Sequence, residues 1–215
     1  FAKGPLTTRK KLGKSFYYTE RTGHHYSMTS VHKASTLVAV CQLNSTNDKN
    51  KNYATASNIV SQAASVGAKM IFLPECFDFI GISRKESFEL AEPLDGPTLN
   101  NYRDLAKELK VWLSLGGMHQ KQDNTEENKL LNAHVVVDDR GEIRSVYHKI
   151  HLFNLEIPNV VRLIESEVYS AGNKLPEPVE TPVGKVGLGI CYDLRFGEMA
   201  TAYAKAGAHL LTYPS

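Results

Sequence analysis

Three residues with reactive side chains each follow an apolar run of the sequence. Glu75, Lys149 and Cys191 stand at the ends of three separate segments that are predicted to be β-strands. In open α/β sheets the functional groups collect at the carboxyl ends of strands, so these side chains are expected to converge. A thiol, a carboxylate that takes and returns its proton, and a cation that stabilises an oxyanion are what amide hydrolysis requires. The three residues therefore predict a shared site for that chemistry.

Cys191 lies at a predicted turn from a strand into a helix. The preceding segment, 185–190, is apolar and contains Gly187 and Gly189, and a helix-like segment continues to Ala206. This pattern is typical of a nucleophile elbow, in which the side chain projects from the end of a sheet and the next amides face its target. A thiol beside those amides is expected to have a pKa below its free value of about 8.5. The alternative is that Cys191 is a small buried apolar residue.

Each of the other two residues also has an ordinary explanation when taken alone. Glu75 follows Pro74 and fits a surface turn, and Lys149 fits a solvated lysine. Neither explanation accounts for a thiol, a carboxylate and an amine at three strand ends. We therefore favour the shared site.

The elements that must position these residues alternate between strand and helix from Thr36 onward. Continuous apolar character predicts a central strand at 37–41, and the other predicted strands are 70–73, 111–115, 185–190 and 209–213. Apolar residues at helical spacing predict helices at 56–64, at 99–109 and after Cys191. Strands at 133–137 and 142–147, joined by a turn at 138–141, form a predicted hairpin that makes a mixed sheet the expected architecture.

Two longer segments have no clean periodicity. Residues 83–98 are polar and are predicted to be a surface excursion. Residues 153–180 contain three prolines and are predicted to be a long loop that forms a lid or a wall of the site. Gly116 and Gly117 are predicted to allow the close approach of either a neighbouring segment or a substrate.

Each reactive residue lies in a distinct sequence block, and the three blocks are residues 73–77, 148–153 and 189–196. In this order they resemble the signature blocks of the nitrilase superfamily of carbon–nitrogen hydrolases. The resemblance extends from about residue 37 to residue 215. Segments 112–117 and 211–215 are particularly similar to the Nit branch, which contains deaminated glutathione amidases and the Nit half of NitFhit fusions.

The resemblance implies an α/β fold, namely the nitrilase-like α-β-β-α sandwich with mixed sheets, and a catalytic triad of glutamate, lysine and cysteine. Glu75 is then the general base, and the nucleophilic cysteine forms a thioester with the substrate. The oxyanion is expected between the ammonium of Lys149 and the backbone amide of Tyr192. Many family members use a second glutamate to orient the lysine. Glu165 fits that position in the family pattern, with Glu156 as the alternative.

The similarity to the Nit branch implies an amidase for small amides of 2-oxo acids, with deaminated glutathione cleaved to 2-oxoglutarate and Cys-Gly. Two alternatives stay open: an ω-amidase or N-carbamoyl amide hydrolase with the same residues, and a non-catalytic Nit interaction module associated with Fhit. The expected partners are a small amide substrate, a second copy in a homo-oligomer (dimer or tetramer), and a fused or associated Fhit domain. No cofactor is expected.

Composition limits the other classes of function. A net charge of +2 with 42% apolar residues gives no argument for nucleic-acid binding, and no apolar run approaches the 18 or so residues of a membrane span. Cys41, Cys76 and Cys191 form neither a disulfide framework nor a CxxC pair, which indicates a reducing compartment, the cytoplasm or the mitochondrion. His119, His148 and His151 lack metal-ligand spacing, so no metal is expected.

Three further expectations concern individual residues and the ends of the chain. Cys76 is expected to be structural, because neighbours on an extended segment point apart, and Asp193 is expected to pair with Arg195 to fix the turn. Residues 1–35 hold seven basic residues and the single acid Glu20, which predicts a disordered leader with transit-peptide character. Residues 36–215 form the hydrolase domain, and the resemblance predicts that it is incomplete at its C-terminus.

Overall fold

The computed structural model describes residues 36–122 and 129–215, so the predicted leader at 1–35 lies outside the described residues. Four α-helices occur in the described part: α1 Lys49–Ser65, α2 Arg84–Leu90, α3 Pro97–Leu109 and α4 Gly197–Lys205. Its strands are β1 Val38–Val40, β2 Met70–Leu73, β3 Trp112–Gln120, β4 Leu131–Val137, β5 Ile143–His148, β6 Asn154–Ile157, β7 Val161–Ile164, β8 Val179–Thr181, β9 Gly184–Leu188 and β10 Leu210–Thr212.

The larger sheet is mixed, as the hairpin predicted. Its order is β1-β2-β3-β4-β5, with β1, β2 and β3 parallel and with β4 antiparallel to both β3 and β5. Strand β1 is at the edge of this sheet, and Val40 is 83% exposed. The prediction of a central strand at 37–41 is therefore wrong, because a short apolar run does not tell a central strand from an edge strand.

Helices α1 and α3 cover one face of the larger sheet. In α1 the buried residues Asn52, Ala56 and Val60 recur every four positions, which places them on one side of the helix. Helix α3 begins with Pro97 at its first turn, where a missing N–H costs no hydrogen bond. The apolar sides of both helices pack with the strands in one core, so the elements that carry Glu75 and its neighbours rest on a rigid layer.

The smaller sheet has the order β10-β9-β8 and faces the other side of the larger sheet. A second core contains Phe72 and Val136 from the larger sheet and Val186 and Leu188 from β9. Helix α4 lies beyond the smaller sheet, where a Cβ at Gly187 would stand only 2.6 Å from the ring of Tyr203. The layers are thus helix, sheet, sheet and helix, which is the sandwich that the resemblance implied.

Helix α2 and strands β6, β7 and β8 were missing from the expectations. Helix α2 lies within the predicted surface excursion. None of its seven residues is fully buried, and its Phe88 and Leu90 pack, partly buried, against a small core cluster. Strands β6 and β7 form an antiparallel hairpin inside the predicted long loop at 153–180. Its turn is made at Asn159, whose φ of 61° is in the left-handed region. Among the described residues, no helix is long and apolar enough to cross a membrane.

Candidate active site

Glu75 is placed by strand β2 and by the glycine pair in the middle of β3. Strand β2 is buried along its whole length, and the N–H of Cys76 donates to the carbonyl of Gly117 at 2.8 Å. Gly117 has φ 66°, and a Cβ there would stand 2.7 Å from Cγ of Glu75. Only glycine allows that approach. Gly116 likewise lies against Pro214, so both glycines contact neighbouring chain segments, one of the two predicted explanations.

Lys149 follows β5 and is almost completely buried between two carboxylates. Its Nζ lies 3.2 Å from Oε1 of Glu75 and 2.8 Å from Oε1 of Glu165. Burial works against the charge on Lys149, but the two carboxylates outweigh it and hold the pKa of the lysine above its ordinary value. The lysine is therefore a cation at neutral pH.

Glu165 begins a 3-10 turn directly after β7, so the unpredicted hairpin is what carries it to the site. Its Oε2 accepts the backbone N–H of Phe153 at 2.6 Å, while Oε1 accepts from Lys149. With both oxygens bonded, the carboxylate holds the lysine in one orientation. Glu156, the alternative, lies on β6 with a side chain that is 62% exposed, and it pairs with Arg162.

Cys191 is at a sharp turn, as expected of an elbow. Its φ of 44° is in the left-handed region, which is rare for a residue with a side chain, and its N–H donates to the carbonyl of Pro214 at 2.8 Å. The helical segment predicted to run from here to Ala206 is divided into a 3-10 turn, Cys191–Arg195, and helix α4. The thiol interacts with the Glu75 carboxylate and with Ser215.

The expected depression of the thiol pKa is wrong. Burial, followed by the negative charge of Glu75, raises the pKa of Cys191 above its ordinary value, although Lys149 and Ser215 lower it in part. A 3-10 turn of five residues offers a weaker dipole than a full α-helix, and the nearby carboxylate opposes it. The resting thiol is consequently protonated.

The turn at Cys191 leaves one amide free for a bound substrate. The N–H of Cys191 donates to Pro214, and that of Asp193 donates to the carbonyl of Ile190. The first N–H groups of a helical turn have no acceptor within the turn. Within the described part of the chain, the N–H of Tyr192 is the one that remains at this turn for an oxyanion.

A buried carboxylate ties this turn to the segment that carries Lys149. Asp193 is fully buried, and its Oδ2 accepts the hydroxyl of Tyr147 at 2.8 Å and the N–H of Ile190 at 2.9 Å. Its Oδ1 accepts the N–H of His151 at 3.1 Å and Nδ1–H of the same residue at 2.7 Å. The partners on either side of Lys149 are thereby fixed relative to the thiol.

The structure corrects the expected partner of Asp193 and changes the reason for expecting Cys76 to be structural. The side-chain partner of Asp193 is His151 instead of Arg195, because the chain after Lys149 passes closer to the carboxylate than the end of the turn does. Cys76 has φ 56° and is not on an extended segment, so the argument from alternation does not apply to it. Burial, then Glu75, raises the pKa of Cys76 well above its ordinary value.

A buried histidine connects the two sheets next to the cysteine strand. Nδ1 of His134 donates to the carbonyl of Gly189 at 3.0 Å, which leaves Nε2 to accept the hydroxyl of Ser114 at 2.7 Å. Burial lowers the pKa of His134 to about 4, partly offset by its bond to Gly189. The ring is therefore neutral at physiological pH.

The buried histidine predicts that stability falls with acid. The pKa of His134 is lower in the folded chain than its ordinary 6.5, so the unfolded chain binds the proton first. Its stabilising effect is complete above pH 6.5 and declines as the pH falls to about 4, by about 3 kcal/mol in the free energy of unfolding. Urea unfolding between pH 7.5 and 4 measures it, and His134→Gln should flatten the slope. An equal slope in the variant would contradict this prediction.

Asn132 on β4 also reaches the site, although nothing in the sequence singled it out. Its Nδ2 donates to Oε1 of Glu75 at 2.8 Å. Among the described residues, no group of three or more His, Cys, Asp or Glu side chains is arranged to hold a metal ion. The site is thus built from one thiol, one cation, two carboxylates and the amides around them.

A carboxylate, an ammonium and a thiol at three strand ends of an α-β-β-α sandwich are the arrangement expected of a carbon–nitrogen hydrolase. The profile of that family, described as carbon-nitrogen hydrolase, matches residues 37–215. The chain belongs to the carbon–nitrogen hydrolase family.

Its relatives are those of the Nit branch, as the sequence blocks indicated. The NitFhit fusion protein of Caenorhabditis elegans is 44% identical over 204 residues, which are 95% of this chain and 44% of that protein. Deaminated glutathione amidase of Homo sapiens is 47% identical over 180 residues, 83% of this chain and 55% of that protein. The crystal structure of C. elegans NitFhit superposes with a TM-score of 0.77 at 46% identity, covering 83% of this chain and 43% of that one. The chain spans about half the length of these relatives.

Proposed function

We propose that this chain is a thiol amidase that hydrolyses a small non-peptide amide through a thioester on Cys191. The observation that carries the proposal is the buried contact of Lys149 with Glu75, together with the interaction of Glu75 with the thiol. A raised thiol pKa beside a carboxylate suits a nucleophile that loses its proton only as it attacks.

In the acylation step, Glu75 accepts the thiol proton while Sγ of Cys191 bonds to the carbonyl carbon. The oxyanion lies between Nζ of Lys149 and the N–H of Tyr192. The C–N bond then breaks, and Glu75 returns the proton to the departing nitrogen. The products of this step are an amine and an acyl thioester.

In the second step a water molecule attacks the thioester, and Glu75 accepts a proton from that water. The same cation and amide stabilise the second oxyanion. The carbon–sulfur bond then breaks, Glu75 returns the proton to Sγ of Cys191, and a carboxylic acid is released. Glu165 takes no proton in either step. Its role is to hold Lys149 in position, because both of its oxygens are already bonded.

Deaminated glutathione is the substrate that the relatives favour. The human relative at 47% identity carries the name deaminated glutathione amidase. Applied to this chain, the acyl group on Cys191 would be 2-oxoglutaryl and the leaving amine would be Cys-Gly. The ω-amidase and N-carbamoyl alternatives use the same residues but release ammonia.

The products of a small panel of amides test this substrate. Deaminated glutathione, a 2-oxo acid ω-amide and an N-carbamoyl amide are each incubated with the chain and with Cys191→Ala, and Cys-Gly and ammonia are measured. The proposal expects Cys-Gly from the first substrate, with the variant at background. Release of ammonia from the other two with no Cys-Gly would favour the rival amidases instead.

A second candidate function is favoured by the fusion relatives. NitFhit proteins join a Nit region to Fhit in one chain, which supports a non-catalytic module that associates with Fhit. Iodoacetamide separates the candidates, because Lys149 and Ser215 favour the thiolate of a catalytic Cys191, which should be alkylated faster near neutral pH than Cys41 or Cys76. Equal, slow alkylation of the three thiols would favour the module. The homo-oligomer and the cytoplasmic or mitochondrial location stay predictions.

A further inference from the structure

Asn132 connects two of the strand ends that build the site. It lies near the start of β4 and is 4% exposed. Its side-chain Nδ2 donates to Oε1 of Glu75 at 2.8 Å, and its backbone carbonyl accepts the N–H of Lys149 at 2.9 Å. One residue therefore contacts both the carboxylate and the backbone of the cation.

The orientation of this amide is set by Glu75. The opposite orientation would place Oδ1 of Asn132 against a carboxylate oxygen, and two acceptors repel each other. In the orientation observed, Oδ1 is buried, and no donor of the described residues lies within hydrogen-bond distance of it. A buried acceptor without a donor destabilises a fold, so an apolar residue would serve packing better here. The hydrogen bond to Glu75 therefore explains why an asparagine occupies this buried position.

Two nitrogen donors of the described residues bond the same oxygen of Glu75. Nδ2 of Asn132 and Nζ of Lys149 lie 2.8 Å and 3.2 Å from Oε1. A carboxylate oxygen with two donors is a poorer proton acceptor than its partner oxygen, because its lone pairs are engaged. This arrangement leaves Oε2 as the more basic oxygen.

We infer that Asn132 is a positioning residue that, with Lys149, reserves Oε1 of Glu75 and thereby makes Oε2 the oxygen that exchanges a proton with Cys191. This inference rests on the proposed function. Asn132 itself touches neither the thiol proton nor the departing nitrogen. It acts through the carboxylate, whose rotation it blocks and whose charged form it stabilises.

The groups around Glu75 decide what the loss of Asn132 does. Among the described residues, the charged and titratable neighbours are Lys149, Glu165, Cys191, Cys76 and Tyr169, of which only the lysine is a cation. Without the side-chain amide of Asn132, Lys149 is left to stabilise the charged form of Glu75, while the nearby acidic groups destabilise it. Glu75 would then bind a proton at a higher pH, and the acidic limb of the kcat/KM profile would move in the same direction.

The test compares Asn132→Asp, Asn132→Ala and the wild type. The aspartate keeps the shape of the side chain but adds a negative charge next to Glu75, whereas the alanine only removes the donor. We expect the acidic limb of kcat/KM for the amide cleaved by the wild type to rise by about one pH unit in Asn132→Asp and by less in Asn132→Ala. At the wild-type optimum, kcat is expected to fall about tenfold to a hundredfold with little change in KM.

Val135→Ala is the matched control, because Val135 is fully buried on the same strand and packs in the core on the opposite face. This variant loses packing but is expected to keep the wild-type pH profile. The aspartate shifts the profile by its own charge, so the neutral variant decides. A purely structural role for Asn132 would give Asn132→Ala the same profile as Val135→Ala, and this result would overturn the inference. A wild type that cleaves no amide would instead overturn the proposed function, so the two failures are distinguishable.

Discussion

Glu75→Gln is expected to lower kcat/KM by about 10²-fold to 10⁴-fold, the range that loss of a general acid–base group produces. Glutamine has nearly the same shape as glutamate, and its side-chain oxygen can still accept from Lys149 and Asn132. The variant should therefore fold. It cannot take the thiol proton, however, and it cannot return a proton to the departing nitrogen.

The reactivity of the Cys191 thiol toward alkylation, in contrast to amide turnover, should not fall in Glu75→Gln. Glu75 is one of the groups that raise the pKa of Cys191, so its neutralisation lowers that pKa and increases the thiolate fraction near neutral pH. Alkylation of Cys191 by iodoacetamide should thus be at least as fast in Glu75→Gln as in the wild type, while amide turnover is nearly lost. Turnover within tenfold of the wild type would show that Glu75 is not the base.

Lys149→Met is expected to impair both activity and stability. Removing one donor to an oxyanion typically lowers kcat by about 10²-fold to 10³-fold. Lys149 is 1% exposed and bonds two carboxylates, so methionine leaves Glu75 and Glu165 near each other without a cation. Loss of one partner from a buried ionic group destabilises by about 3–5 kcal/mol.

The loss of stability in Lys149→Met should depend on pH. Without the lysine, the two carboxylates bind protons more readily in the folded chain than in the unfolded chain, so the variant regains stability as the pH falls. Urea unfolding at pH 7.5 and pH 5 should show a larger deficit at the higher pH. Lys185→Met is the control, since that lysine is on the surface beside Glu180 and should affect neither property appreciably. An equal deficit at both pH values would contradict the prediction.

The convergence of the three reactive residues could be predicted because local signals mark it. Lys149 comes directly after strand β5, and Glu75 follows strand β2 with Pro74 as the single residue between them. Parallel and hairpin strands bring such ends together without any knowledge of the core. The α-β-β-α sandwich was predicted from the resemblance to the family, because the pattern of strands and helices alone predicts only a mixed sheet.

The contacts that refine the site could not be predicted in the same way. Asn132 and Tyr147 lie inside strands whose apolar pattern explains them equally well as ordinary sheet residues. The hairpin that delivers Glu165 is mostly exposed, so it has no apolar periodicity to reveal it. The sign of the thiol pKa depends on how deeply Cys191 and Glu75 are buried together, which is a property of the packed structure.

The hydrogen bonds of Asp193 have a consequence for local opening of the chain. The N–H groups of Ile190 and His151 donate to the two oxygens of one buried carboxylate. Neither segment can leave its place without exposing that charge, so the backbone before the thiol and the backbone after the lysine should open as one cooperative unit. Native-state amide hydrogen exchange would then give both N–H groups the same protection factor, although 39 positions separate them along the chain.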